Sequence, residues 1–432
     1  MAVLTRSALA AYAAVALPLA AAALPVHVQV PKFYSALGMD LAMIGFILLA
    51  VRLLDALSDP LLGAIADRMP LRYGGRKLMI GAAAPLLAAG LWLLFNPPAG
   101  SQSLTSWLVG ALVLSYVGLS AASIGHFALG SALSRDYAER TRITAARGVA
   151  ALAGVLLAAA VPELLVQHYG TTAGLAWFAL GFTPVLAVTA AITLVRGPAP
   201  PDSAVSAPLT GAGLLQPLRN PRFRRLAAVF LINGIAAAMP ATLLLFFAAD
   251  VLQRPDLTPL FLVLYFVAGA AGMPLWVRLA AGIGKVRAWL VSMAFAVGAF
   301  VWAYFLGAGD AAAFAAVCVL SGLAFGGDLA LPASLLADVI DGDEDRKGRP
   351  DGIYFGVWHL LEKLALALAA GIVLPLLQWL GYAPGVPAPA GSALSVVYAL
   401  LPCAIKVVAA LLLWLAVSDP LRRNGSMTGD GP

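Results

Sequence analysis

Long apolar runs recur along the whole sequence, and each is close to the length needed to cross a membrane. A transmembrane helix needs about 20 apolar residues to span about 30 Å of hydrocarbon. Runs of this kind lie at 8–34, 40–67, 77–96, 104–133, 143–167, 172–195, 224–251, 257–280, 286–306, 311–340, 351–380 and 392–417. The sequence therefore predicts an all-α membrane protein with about 12 transmembrane helices.

The composition excludes a water-soluble protein of this size. Of the 432 residues, 62% are hydrophobic and 11% are charged, whereas soluble domains contain about 25% charged residues. The Ala-rich run after Arg6 also resembles a secretory signal peptide, but it continues to Val30, which is too long for a signal core. We therefore interpret it as the first membrane span.

Basic residues concentrate in the loops on one side of the predicted spans. They occupy 68–77, 135–142, 196–225, 278–287, 346–349 and 422–423, whereas the other side carries only Lys32 and Arg254. The positive-inside rule predicts cytoplasmic termini, and it accounts for the net charge of +6 without nucleic-acid binding. We expect a monomer in the bacterial inner (plasma) membrane, with the lipid bilayer and a small-molecule substrate as its partners.

The spans divide into two halves that look like copies of each other. A Pro-, Gly-, Ala- and Ser-rich stretch at 196–222 reads as a cytoplasmic linker between bundles at 1–195 and 223–420, with a tail at 421–432. ALGSALSRD (128–136) aligns without a gap with ALPASLLAD (330–338). Two pseudo-symmetric six-helix bundles are the layout of major facilitator transporters, whose substrate site lies near mid-membrane.

Three charged residues share one face of the second span. Arg52, Asp55 and Asp59 are spaced i, i+3 and i+7, and Pro60 follows them directly. Each charge costs about 2.5–3.5 kcal/mol in the bilayer, so such residues mark functional sites. Because Arg52 can pair with Asp55, we predict that Asp59 is the carboxylate most open to a proton or cation. A static ion pair that fixes the second span is the alternative.

Further ionisable and aromatic side chains fall inside other spans. His126 and Asp328 align in the repeat and are candidates for substrate or proton contact, unless nearby backbone groups or hydroxyls satisfy them. In the eleventh span, Lys363 needs a carboxylate partner, for which the second-span aspartates are candidates. The other polar or aromatic candidates of that span are Trp358 and His359.

The basic residues near the cytoplasmic ends of the spans have two readings. Asp67, Arg68, Arg76 and Lys77 either set topology and cap helices or form a charge latch that holds one conformation. Lys406 in the last span receives no predicted role.

The stretch RLLDALSDPLLG (52–63) resembles the glycoside–pentoside–hexuronide:cation symporters, the melibiose permease family of the major facilitator superfamily. The stretch at 331–368 resembles the same family. The resemblance implies that Asp55 and Asp59 bind Na⁺, Li⁺ or H⁺ and that Ser120 assists them. It also matches the family's helix 5 arginine to Arg147, which otherwise reads as a side chain that snorkels to the interface.

The sequence departs from the family at two positions, in the first and fourth spans, where the family's sugar transporters bind sugar hydroxyls with carboxylates. The stretch at 16–25 in the first span is wholly apolar, and Ser123 stands at the fourth-span carboxylate position. Phe127 stands at the position of the family's aromatic platform. Because sugars are held by charge-assisted hydrogen bonds, an amphipathic lipid such as a lysophospholipid is the alternative substrate.

The sequence carries no HExxH, GxSxG, CxxC or P-loop motif, so an enzyme and a primary ATP-driven pump are not expected. We predict a cation-coupled secondary transporter that works by alternating access, without a cofactor or structural metal. H⁺ needs one carboxylate, whereas Na⁺ needs further oxygens such as those of Ser58 and Ser120, which slightly favours H⁺. A non-transporting receptor or scaffold is the second alternative.

Overall fold

A computed structural model describes residues 4–68, 75–98, 104–134, 137–198, 216–341 and 352–424. Within these residues, twelve helical stretches are long and apolar enough to cross a membrane. The helices are α1 (Arg6–Ala13), α2 (Ala16–Ala36), α3 (Leu41–Arg68), α4 (Gly75–Phe95), α5 (Leu104–Ala132), α6 (Tyr137–Tyr169), α7 (Thr171–Arg196), α8 (Pro221–Phe246), α9 (Thr258–Ile283), α10 (Lys285–Phe300), α11 (Ala311–Asp341), α12 (Gly352–Trp379), α13 (Ala393–Ser395) and α14 (Leu401–Asn424). The chain divides into two compact units, Met1–Leu209 and Thr210–Pro432.

Four of the main helix pairs are the same in the two units. In the first unit α2 packs on α6, α3 packs on α5, and α4 packs on α5 and α7. In the second unit α8 packs on α12, α9 packs on α11, and α10 packs on α11 and α14. In each unit these are the first span with the fifth, the second with the fourth, the third with the fourth, and the third with the sixth. The shared pairs agree with the predicted repeat.

The first span contains a break that run length alone does not predict. Pro18 has no N–H to donate to the carbonyl of Ala14. That carbonyl instead accepts from the amide of Leu17, at 3.4 Å. The apolar run at 8–34 is therefore built from α1 and α2 rather than from one uninterrupted helix.

Glycines bring α4 and α5 into backbone contact. A Cβ atom at Gly118 would overlap the backbone of Leu87, and one at Gly90 would overlap the backbone of Ser115. Since helices in a bilayer gain little from hiding apolar surface, small residues at the interface favour association by allowing close van der Waals packing. The helix α3 packs on α5, one member of this pair.

A buried carboxylate organises the segment that precedes the last span. Asp250 lies in a π-helical turn, Phe247–Val251, that continues α8. Its carboxylate accepts from the hydroxyl of Tyr382 and from the amide of Gly385, the latter at 3.1 Å. Its backbone carbonyl accepts from the amide of Ala388 at 2.7 Å. Burial and the hydrogen bond to Asp250 raise the pKa of Tyr382, so the hydroxyl stays a donor.

We expect Tyr382→Phe to destabilise the second unit by about 1–3 kcal/mol, because a buried carboxylate loses a donor. The measurement is thermal unfolding of the purified protein, with limited proteolysis of the 380–392 segment as a local readout. Tyr169→Phe is the matched control, since Tyr169 is 52% exposed. Equal melting temperatures for the two variants would contradict the assigned role.

Candidate functional site

Of the three charged residues predicted to share one face of α3, Arg52 and Asp55 form a buried cluster. The side chains of Arg52 and Asp55 are 9% and 1% exposed, and Arg52 Nη1 lies 3.8 Å from Asp55 Oδ2. The two groups form an ion pair, but the distance between them is too long for a hydrogen bond. The predicted pairing of these two residues one turn apart is therefore present.

A hydroxyl from a neighbouring helix contacts the same carboxylate. Ser120 of α5 donates to Asp55 Oδ1 at 2.6 Å. Ser58 donates to the backbone carbonyl of Asp55 at 2.8 Å, a bond within its own helix. Asp59 is partly buried one turn further along α3. The contact between Ser120 and Asp55 links two helices, and cation binding by these groups stays a prediction.

Two residues that sequence reasoning missed complete the surroundings of Arg52. Its guanidinium lies 4.6 Å from the centroid of the Tyr116 ring, a cation–π contact. His27 of α2 lies close enough to Arg52 for the two to interact electrostatically. Within the described residues, His27 Nε2 and Arg52 Nε have no hydrogen-bond partner. The signal for His27 was available, because it is an ionisable side chain inside the apolar run at 8–34.

A second cluster in the first unit joins α1, α5 and α6. The rings of Tyr12 and His126 lie 4.4 Å apart, and His126 Nε2 donates to the Tyr12 carbonyl at 2.9 Å. Backbone satisfaction of His126, the alternative considered from sequence, is thus what the structure contains. Arg147 lies over Phe127, with its Cζ 4.0 Å from the ring centroid. Ser123, on the same helix as His126, is partly buried.

Asp328 in the second unit belongs to a network contributed by four helices. Its Oδ1 accepts from Asn233 Nδ2 at 3.0 Å and from Trp289 Nε1 at 2.9 Å. Its Oδ2 accepts from Lys406 Nζ at 2.7 Å. Lys406 also donates to Asn233 Oδ1 at 2.7 Å, which fixes the orientation of that amide. Lys406, unassigned from sequence, is therefore the counter-ion of Asp328.

The three candidates on α12 lie in different environments. Trp358 is buried in the core of the second unit and stacks on Phe230 with ring centroids 3.8 Å apart. His359 is exposed, and its Nδ1 lies 2.9 Å from Glu362. Lys363 is partly buried. Their assignment to a substrate cavity stays a prediction.

The candidate latch residues that the structure describes act on helix ends. Lys77 donates to the carbonyls of Leu194 and Gly197, at 3.1 and 2.6 Å, at the C-terminal end of α7. A cation there complements the helix dipole. Arg76 donates to the carbonyl of Ala128 at 2.8 Å. These contacts fit the capping interpretation, whereas the side chains of Asp67 and Arg68 lie outside the described part.

Comparison with known proteins decides the family. Residues 11–417 match the family described as MFS/sugar transport protein. The chain belongs to this family. It is therefore a membrane transporter of the major facilitator superfamily and not an enzyme, and its substrate is a small molecule.

The relatives of this transporter are symporters and carriers of similar length. It is 24% identical to the inner membrane symporter YicJ of Escherichia coli (strain K12), covering 84% of this chain and 80% of YicJ. It is 26% identical to the glucuronide carrier protein homolog of the same organism, covering 87% of this chain and 84% of that protein. The crystal structure of the nucleoside transporter NupG matches with a TM-score of 0.71 and 14% identity, covering 96% of this chain and 99% of NupG.

The match to NupG bears on the fold alone. The two sequence relatives are named as a symporter and as a carrier homolog. The predicted membrane class, helix number and superfamily are thereby confirmed. The coupling ion and the substrate are not decided by these similarities.

Proposed function

We propose that this chain is a cation-coupled symporter that moves a small organic solute by alternating access. The observation that carries the proposal is the buried carboxylate of Asp55, contacted by the Ser120 hydroxyl at 2.6 Å and by Arg52 at 3.8 Å. A carboxylate buried within a membrane-spanning helix is costly, which makes it a candidate ion or proton site. A cation bound at the aspartates would neutralise them. It would thereby lower the energetic cost of moving the charged face of α3 between conformations.

Coupling follows if cation and substrate both favour the same conformation. Each ligand then shifts the population toward the state that binds the other, and the effect is reciprocal. Asp59 lies on the same helix as Asp55 and supplies a second carboxylate within two turns. We propose H⁺ as the coupling ion before Na⁺, because protonation of one carboxylate requires no further ligands.

We propose a sugar or glycoside as the cargo. The support is the family's description as sugar transport proteins and the glucuronide named in one relative. A lysophospholipid-like cargo is the second candidate, and the apolar stretch at 16–25 of α2 favours it. Both candidates keep the same cation site, so cargo and coupling can be tested separately.

Asp59→Asn tests the coupling directly. We expect proteoliposomes with this variant to lose accumulation driven by an imposed pH or Na⁺ gradient, because an amide neither takes up a proton nor supplies charge. The wild-type protein under each gradient alone identifies the ion. Full accumulation by the variant would contradict the symport proposal.

A further inference from the structure

A buried carboxylate that the proposed coupling site does not use lies in the fifth span. Glu163 of α6 is 4% exposed, and its Oε2 accepts a hydrogen bond from Gln29 Nε2 of α2 at 3.4 Å. Lys32 of α2, which is partly exposed, interacts with the same carboxylate electrostatically. Glu163 lies about 9 Å along the helix axis from the end of α6 at Tyr169. The group is therefore inside the span but close to the end opposite the basic loops.

The charge of Glu163 is weakly compensated. Within the described residues, Gln29 is its hydrogen-bond donor, and the 3.4 Å contact is longer than the usual distance of about 2.9 Å. By contrast, Glu139 on the same helix accepts from the amide of Leu4 at 3.1 Å and from Arg142 at 2.7 Å. A buried carboxylate with so few partners gains from neutralisation by a proton.

The helices around Glu163 supply one charged neighbour. The helices that pack on α6 are α1, α2, α5 and α7. Of their described ionisable side chains, Lys32 is the one that acts electrostatically on Glu163. On α6 itself, the nearest ionisable residues in sequence are His168 and Tyr169, and both are exposed. The balance between the two protonation states of Glu163 is therefore set by its burial, by Gln29 and by Lys32.

The two helices touch closely at one level and carry prolines at the other. A Cβ atom at Gly154 of α6 would overlap the carbonyl of Leu17 in α2, so the backbones are in contact there. Pro162 directly precedes Glu163, and a second proline follows Gln29 by two residues. Because proline removes a helical hydrogen bond, each helix bends more easily beside the polar contact. The helices can therefore separate at this contact while the close backbone contact is kept.

We propose that Glu163 binds a proton when α2 and α6 move apart and releases it when the contact with Gln29 and Lys32 closes. The inference rests on the proposed symport and deepens it by adding a second proton site to the one on α3. In the closed contact, the amide donor and the ammonium group stabilise the carboxylate. In the open contact, a carboxylate that stays in the bilayer without them is neutralised by a proton from the water at the nearby helix end. Protonation and helix separation thereby favour each other.

Infrared difference spectroscopy of the full chain in lipid vesicles tests the site without a transported solute. The C=O stretch of a protonated carboxylic acid is recorded between about pH 5.5 and 8, where exposed carboxylates, which titrate at about pH 4, stay ionised. We expect a band that grows as the pH falls and is lost in Glu163→Gln. Asp256→Asn, at an exposed carboxylate paired with Arg254, is expected to leave it unchanged. Gln29→Leu is expected to move its midpoint upward by about 0.5–1 pH unit, because the carboxylate loses its donor.

The proposal is overturned if the wild-type protein shows no such band, if Glu163→Gln retains it, or if Gln29→Leu leaves its midpoint unchanged. Should Glu163→Gln fail to fold, the midpoint in Gln29→Leu still decides. Symport is judged separately, by gradient-driven accumulation in proteoliposomes. Accumulation by the wild-type protein without the Glu163 band would refute the second proton site alone. The band without accumulation would support proton binding by Glu163 and refute symport.

Discussion

Asp55→Asn is expected to abolish cation-driven accumulation in proteoliposomes, with initial uptake rates at least about 10-fold below wild type. The carboxylate is buried, is contacted by a hydroxyl of α5 and shares its helix with Asp59. An amide at this position cannot change its charge, so the energetic difference between cation-loaded and empty states is lost. Equilibrium exchange of labelled substrate is expected to persist, because exchange requires no net movement of the cation.

The control for this variant addresses Arg52, which forms an ion pair with Asp55. Removing one member of a buried pair costs about 3–5 kcal/mol, so lost transport could reflect poor folding. We expect the double variant Arg52→Gln/Asp55→Asn to regain the wild-type melting temperature without regaining accumulation. Recovery of accumulation by the double variant would mean that Asp55 serves only as the counter-charge of Arg52, which is the static ion-pair alternative.

The sequence predicts most of the fold because the bilayer imposes a length and a composition on each span. The apolar runs correspond to helices whose ends differ from the predicted ones by a few residues, as for α3, predicted at 40–67 and found at Leu41–Arg68. The break before α2 was not predicted, since it depends on the backbone partner of one carbonyl. Pairing of the spans also required the structure, because run length carries no information on which helices touch.

The candidate site was predictable only where its members are close in sequence. Arg52 and Asp55 are one helical turn apart, so periodicity alone suggests their pairing. Ser120 lies 65 residues from Asp55, and family resemblance rather than spacing pointed to it. Lys406 lies 78 residues from Asp328 on another helix, and the rotation of each helix about its axis decides whether they meet. Hydropathy does not encode that rotation.

The charge of Asp328 is compensated by a network of donors from other helices. Three donors from three helices reach the Asp328 carboxylate, at 2.7–3.0 Å. Hydrogen bonds of this kind offset the cost of removing both ions from water. We therefore expect the pair of Asp328 and Lys406 to hold α8, α10, α11 and α14 together rather than to exchange the coupling cation.

Neutralising Asp328 and Lys406 distinguishes a packing role for this pair from a role in cation coupling. Asp328→Asn leaves the ammonium of Lys406 buried without its carboxylate, and we expect a loss of about 3–5 kcal/mol of stability. In Asp328→Asn/Lys406→Met no charge remains, and we expect the melting temperature and gradient-driven accumulation to recover together. A double variant that folds normally but no longer accumulates substrate would show that Asp328 takes part in coupling. Recovery of both would assign the network to packing of the second unit. The α3 carboxylates would then remain the coupling groups, because their charge-compensated variant Arg52→Gln/Asp55→Asn is expected to fold without accumulating substrate.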